Sequence, residues 1–176
     1  MALEHALLVA LREQPASGLE LTRRFGRSIG YFWPATHQQI YRVLGRMEGD
    51  GWVHATTVEQ TGRPDKKVYE VSATGEQALA EWLATPTTPH PLRSELAVKM
   101  RGASFGNRAA VLDVVRADLA EHRARLAHYE QLTARDYPDP TTLSDLELDQ
   151  YLVLRGGVLT EQTWVTWLTE YLEAHA

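Results

Sequence analysis

Residues 31–51 read YFWPATHQQIYRVLGRMEGDG, and this stretch decides the fold. Taking 100° per residue from Ile40, the apolar side chains Ile40, Val43, Leu44 and Met47 fall within about 100° of arc. Gln38, Tyr41, Arg42 and Gly45 lie on the opposite side, with Arg46 at its edge. The spacing predicts a helix that opens near Pro34-Ala35-Thr36, where proline suits the first turn, and stops at Gly49-Asp50-Gly51. Its polar face fits a DNA groove. Glutamine pairs bidentately with adenine and arginine with guanine, while tyrosine bonds phosphate or packs on a thymine methyl. Thr36 and His37 bring backbone N–H groups and short polar side chains to the helix start, a setting that suits phosphate. Taken alone, the same face also fits an ordinary solvated helix.

Two helices are expected before this one. Leu3, Leu7, Leu8 and Leu11 repeat at helical spacing up to Pro15-Ala16-Ser17-Gly18. Ser17 with Glu20 three residues on forms a capping box, after which Leu19, Leu21, Phe25 and Ile29 supply the apolar positions of the second helix. Beyond the third helix, Trp52 to Thr57 and Val68 to Val71 read as two short strands. The turn-rich segment from Glu59 to Lys67 reads as their tip, and it places Arg63, Lys66 and Lys67 on a protruding loop. Such a loop lies along a phosphate backbone or pushes an arginine into a narrow minor groove. A basic tip also serves simply to keep an exposed hairpin soluble. Ser72 to Glu76 opens a fourth helix bearing Leu79, Trp82 and Leu83. Three helices, a two-stranded hairpin and a fourth helix make the layout of a winged helix-turn-helix.

The 176-residue chain has a net charge of −5, which argues against a nonspecific polycation for nucleic acid. That average hides a split. The window from Thr22 to Lys67 holds eight basic and four acidic side chains, +4, whereas Pro91 onward carries −4. With 44% apolar residues the chain can bury a real core. It contains no cysteine, which excludes disulfides, thiolate metal sites and cysteine nucleophiles. The longest apolar run near the start, Ala6 to Leu11, is too short for a signal peptide or membrane span, so a cytoplasmic protein with no membrane partner is expected.

Prolines at 86, 89 and 91 mark a linker over 85–91, between a DNA-binding domain over 1–84 and a helical domain over 92–176. In the helical half, Leu112, Val115, Leu119, His122, Leu126 and Tyr129 form a seam at alternating spacings of three and four. A last helix, from about Ser144 to Glu173, carries one stripe of Tyr151, Val158, Val165 and Leu172. An adjacent stripe holds Leu148, Leu152 and Leu159. An apolar face this wide exceeds what one partner helix covers and points to a second subunit. Leu112, Leu119, Leu126, Val158, Val165 and Leu172 are the expected dimerisation residues. The fold class is therefore mainly α with a small β-hairpin: an N-terminal winged helix-turn-helix followed by a long-helix dimerisation domain.

Several separated motifs resemble PadR-type regulators, a family of winged-helix transcription factors. Residues 31–41 with Leu44 and Gly51 resemble the helix-three signature of that family. Gly62-Arg63-Pro64, Lys67-Val68-Tyr69 and Thr74-Gly75 resemble its wing and following helix. Tyr151 to Leu154 and Trp164 to Leu168 are similar to the C-terminal helix of its longer subfamily. The resemblance implies a homodimer that binds a palindromic double-stranded operator, usually represses, and in many members releases DNA when a small aromatic molecule binds. By position, it places DNA contacts on Thr36, His37, Gln38, Tyr41, Arg42, Arg63, Lys66 and Lys67. One departure is Gly18-Leu19, where many members carry tyrosine after the glycine.

For an effector, Trp33, Trp82, Tyr151 and Trp164 are the candidate aromatic lining. The adjacent Gly156 and Gly157 leave three readings: close packing by a partner helix, by a ligand, or a tolerated defect. The seven histidines have no metal-ligand spacing, so no metal or cofactor is expected. No nucleophile stands with a base, and no glycine-rich phosphate loop is present, so no enzyme is expected. The rival reading is a winged-helix protein-interaction module that does not bind DNA.

Overall fold

Apolar spacing of three and four turns Ala2–Glu13 into the first helix, α1, which buries Leu7, Leu8 and Leu11. The computed structural model describes residues 2–25, 35–59, 65–87 and 93–176. The chain divides into two units, Met1–Thr88 and Pro89–Ala176. Of the sequence readings above, Ile29, Trp33, Pro34, Gly62, Arg63, Pro64 and the end of the expected linker lie outside the described residues.

In the first unit α1 is followed by a short strand, β1 (Ala16–Ser17), and a second helix, α2 (Gly18–Phe25). Ser17 N donates to Glu20 Oε2 at 2.8 Å and Glu20 N donates to Ser17 Oγ at 3.3 Å, so the expected box forms. The third helix, α3, runs His37–Gly49; strands β2 (Val53–Val58) and β3 (Lys66–Val71) follow, then α4 (Ala73–Leu83). Ile40, Val43, Leu44 and Met47 of α3 join Leu7, Leu8, Leu21, Phe25, Val53, Tyr69 and Leu79 in one core. At the start of α4, a Cβ on Gly75 would stand 2.1 Å from the Trp52 carbonyl oxygen, so only glycine lets this turn approach β2 so closely.

Four expectations for this unit need correction. The sheet is not a hairpin alone but has three antiparallel strands in the order β1-β3-β2, with Ala16 opposite Tyr69 and Ser17 opposite Val68. A two-residue strand is too short to show any alternation. The third helix opens at His37, because Thr36 and Gln39 form a reciprocal capping box that ends the extended chain there. Leu19 is exposed: α2 buries Gly18, Leu21 and Phe25, and Leu19 lies one residue off that face. Lys66 and Lys67 are the first two residues of β3, paired with Val58 and Thr57 of β2, and do not belong to the tip.

The second unit is all helical. It comprises α5 (Glu95–Arg101), a 3₁₀ turn (Ala103–Phe105), α6 (Arg108–Asp136), a second 3₁₀ turn (Pro140–Thr142) and α7 (Asp145–Glu173). Ser144 and Glu147 cap α7 reciprocally. Helices α6 and α7 are antiparallel neighbours. Met100, Val115, Leu119 and Leu168 form their core, with Val165, Leu172, Trp164 and Tyr171 packed against it.

The protomer's own packing takes up part of the expected subunit seam. Leu119 and Val158 are buried within the protomer, Val165 and Leu172 pack on its own core, and Leu112 and Leu126 are half-buried. A seam read from one helix shows that an apolar face exists, but not which helix covers it. The stripe left in water on α7 is the adjacent one: Leu148, Leu152 and Leu159 are 38%, 54% and 49% exposed. Among the described residues, no helix is long and apolar enough to cross a membrane.

Candidate nucleic-acid interface

Helix α3 is held by its buried side and presents the other. With Ile40 and Leu44 fully buried, Thr36, His37, Gln38, Tyr41, Arg42 and Gly45 all face solvent. Thr36 Oγ1 accepts from Gln39 N at 3.2 Å, and Gln39 Oε1 accepts from Thr36 N at 2.8 Å. The cap therefore satisfies two of the orphan donors at the helix start and leaves the N–H groups of His37 and Gln38 without an intrahelical acceptor. These point where an anion would be stabilised by the helix dipole.

Tyr41 is placed by a contact that sequence reasoning missed. A Cβ on Gly18 would lie 2.6 Å from Tyr41 Cζ, so the first residue of α2 must be bare for the ring to rest there. The His37 ring also meets Tyr41, 4.5 Å between centroids. The phenol is thus held in a half-exposed position on the face that also bears Gln38 and Arg42.

The basic groups divide into two kinds. Arg42 has no hydrogen bond or ion pair among the described residues, so its guanidinium is available to a ligand. Arg46 is ion-paired with Glu4 of α1. Strand alternation turns the neighbours Lys66 and Lys67 to opposite sides, and each finds a carboxylate. Lys66 Nζ donates to Glu20 Oε1 at 2.7 Å; Lys67 Nζ donates to both Glu48 oxygens at 2.7 and 2.8 Å and stands 5.8 Å from the Tyr69 ring centroid.

The ionisation equilibria follow these bonds. Lys66 above all, helped by the Ser17 N–H and hydroxyl, brings Glu20 down from 4.5 to about 2. Glu48 raises Lys67, and burial raises Tyr69. Glu20 and Lys67 therefore keep their charges at neutral pH. Glu20 and Glu48 escaped the sequence reading in this role. Glu20 was legible only as a cap, and Glu48 only as one acid in a charge count.

The effector candidates are divided between the two units. Trp82 stacks on His5 in the first unit, 4.5 Å and 9° between rings. In the second unit Tyr151, with Tyr137 at 5.7 Å, lines a concavity of about 560 Å³ that also takes in Arg155, Val158 and Gln162. Trp164 stacks on His122 at 4.9 Å and borders a different hollow of about 250 Å³ with Thr160, Thr163 and Trp167. Tyr151 and Trp164 thus do not share one pocket. A Cβ on Gly156 would meet nothing within 4 Å, whereas Gly157 is buried. Beneath Trp164, His122 Nδ1 lies 2.5 Å from Glu161 Oε2, and Arg125 Nε donates to Glu161 Oε1 at 3.2 Å. Among the described residues, no group of three or more His, Asp and Glu side chains is placed to hold a metal ion.

Comparison with known proteins agrees with this geometry. Residues 7–81 match the model of the PadR-like family of transcriptional regulators, and residues 92–176 match that of the virulence activator alpha C-terminal region. The chain is 51% identical to a probable transcriptional regulator of Mycobacterium tuberculosis, Rv1176c, over 99% of this chain and 97% of the relative. It is 30% identical to the negative transcriptional regulator PadR of Bacillus subtilis, over 97% of this chain and 95% of that protein. PadR solved in complex with operator DNA superposes with a TM-score of 0.87 at 27% identity, covering 98% of this chain and 97% of PadR. The same protein solved with p-coumaric acid gives 0.79, covering 99% and 98%. The Vibrio cholerae virulence activator AphA gives 0.81 at 33% identity, with 99% of each chain covered. The chain belongs to the PadR-like family of transcriptional regulators.

Proposed function

We propose that this regulator is a sequence-specific repressor that binds an inverted-repeat operator as a homodimer and is released by a small aromatic ligand. The observation that carries the reading is the exposed face of α3, where Gln38, Tyr41 and Arg42, the last with no partner among the described residues, lie together on a helix locked from behind by Ile40 and Leu44. Gln38 and Arg42 supply base choice; Thr36, His37 and Tyr41 supply phosphate contacts, together with Arg63, Lys66 and Lys67 of the wing. The PadR–operator complex, which covers nearly the whole chain, supports DNA as the partner.

Dimerisation is supported by the uncovered Leu148, Leu152 and Leu159 stripe of α7, too apolar to stay in water on a stable protomer. A two-fold dimer spaces its recognition helices about 34–36 Å apart, one turn of DNA, which requires an inverted-repeat site. The name of the Bacillus PadR, a negative regulator, supports repression. Its complex with p-coumaric acid supports an aromatic acid as effector, and the Tyr151 concavity offers aromatic walls with the Arg155 guanidinium for a carboxylate. An effector that changes the separation of the two heads abolishes simultaneous binding and with it the bivalent gain.

Fluorescence anisotropy tests the reading with a duplex from upstream of the protein's own gene, at two salt concentrations, against scrambled competitor and with added p-coumaric acid. Salt-sensitive binding that survives the competitor is expected. Absence of binding at low salt would overturn the DNA reading and favour a protein-interaction module.

A further inference from the structure

We propose that Glu48 and Glu20 are built-in competitors for DNA phosphate: they hold Lys67 and Lys66 in the free protein, and a duplex must take each ammonium from its carboxylate. This rests on the DNA-binding reading above. Glu48 offers both oxygens to Lys67 Nζ at 2.7 and 2.8 Å, and Lys67 is the one hydrogen-bond partner of that carboxylate among the described residues. Glu20 offers Oε1 to Lys66 at 2.7 Å while its Oε2 is held by Ser17 N and Oγ, both at 2.8 Å. The carboxylates therefore mimic phosphate oxygens at the distance a phosphate would take.

The pairs are open to exchange. Lys67 and Glu48 side chains are 48% and 35% exposed, Lys66 and Glu20 31% and 41%, so solvent and a polyanion reach both. Position sharpens the case for Glu48. On α3 it lies seven residues after Tyr41, at the edge of the face that bears Gln38, Tyr41 and Arg42. Once Lys67 turns to phosphate, the bare carboxylate faces the DNA backbone and repels it. Each pair thus approaches DNA with no net charge, and affinity for arbitrary duplex is held down while base contacts from α3 are untouched. The penalty falls on every duplex alike, so it lowers general affinity and leaves discrimination to α3.

The test uses the full-length protein with two labelled probes, the upstream duplex and a mixed-sequence duplex of equal length, from 50 to 200 mM salt. Glu48→Gln removes the charge and keeps the size. It is expected to bind the mixed duplex about 3- to 10-fold tighter at 50 mM, with the plot of log Kd against log salt steeper by up to about one unit, since the site enters with an added positive charge. Lys67→Gln is expected to weaken binding by leaving Glu48 bare, and the double substitution to recover toward wild type. Glu20→Gln follows the same direction; because Glu20 also caps α2, a thermal melt accompanies it.

A different pattern overturns the inference alone: wild type binds, and Glu48→Gln, Lys67→Gln and the double variant all bind equally less well. That is the behaviour of a brace between wing and helix. If neither wild type nor Glu48→Gln binds either duplex at 50 mM, the DNA-binding reading falls and takes the inference with it.

Discussion

In the N-terminal unit Lys66 and Lys67 meet carboxylates at the surface, whereas in the C-terminal unit Glu161 meets His122 almost wholly out of water, with the half-exposed Arg125 at the rim. The chemistry is nearly the same and the consequences are opposite. A surface pair contributes little to stability, and its members are free to change partners. A buried group stripped of its partners leaves an unpaired polar atom or charge, which costs several kcal/mol. The first unit therefore keeps its two lysine pairs where a polyanion can exchange them. The second uses its cluster, roofed by the Trp164 ring, to fix the register of α6 against α7.

The largest expected effect breaks the comparison from the buried side. Glu161→Ala takes the buried carboxylate from His122, while Arg125, half in solvent, keeps Glu121; it should destabilise the protein by about 2 kcal/mol. A denaturant titration monitored by circular dichroism checks this, and Glu161→Gln, which keeps one acceptor oxygen, should lose less. A cost for Glu161→Ala no greater than for an exposed glutamate such as Glu121 would show that the cluster does not fix the helix pair.

Next comes a packing change at the reading face. Gly18→Ala puts a methyl where the Tyr41 ring stands, 2.6 Å from Cζ. The half-exposed ring can swing away, so the cost in stability should be about 1 kcal/mol. Duplex binding should fall with it, because the phenol leaves its place beside Gln38. Undiminished binding with a displaced ring would remove Tyr41 from the contact set.

The smallest effect is set by pH. Glu20 is held at about 2 against 4.5 in the unfolded chain, so the stability it supplies is complete above 4.5 and is lost as pH falls toward 2. Its exposure keeps that contribution under about 1 kcal/mol. The stability difference between wild type and Glu20→Gln should close over this window; a gap unchanged from pH 6 to pH 2 would contradict the assigned bonds.

What could be read from the chain follows from the range of each interaction. The two faces of α3 were legible because Ile40, Val43, Leu44 and Met47 recur within a turn or two of one another. The caps at Ser17, Ser72 and Ser144 span three residues and were equally open to reading, or nearly so. The third strand escaped because Ala16 and Ser17 are too few to alternate. The pairing of the wing lysines escaped because Glu20 lies 46 residues from Lys66, and Glu48 19 from Lys67. For the same reason the +4 of the Thr22–Lys67 window overstates the free charge: the fold brings Glu4 and Glu20, outside that window, onto Arg46 and Lys66. The seam on α6 was visible, but its partner turned out to be α7 of the same protomer, since periodicity does not name the surface that covers it.

The central claim, that α3 reads bases through Arg42 while the paired lysines set general affinity, is tested most directly with Arg42→Ala. The measurement is its Kd for the upstream duplex and for a set of single-base-pair variants, alongside a thermal melt. The account predicts an unchanged melt and the loss of discrimination at one base pair, worth about 1–3 kcal/mol, with preferences elsewhere kept. Equal affinity and the same preferences in wild type and Arg42→Ala would contradict it.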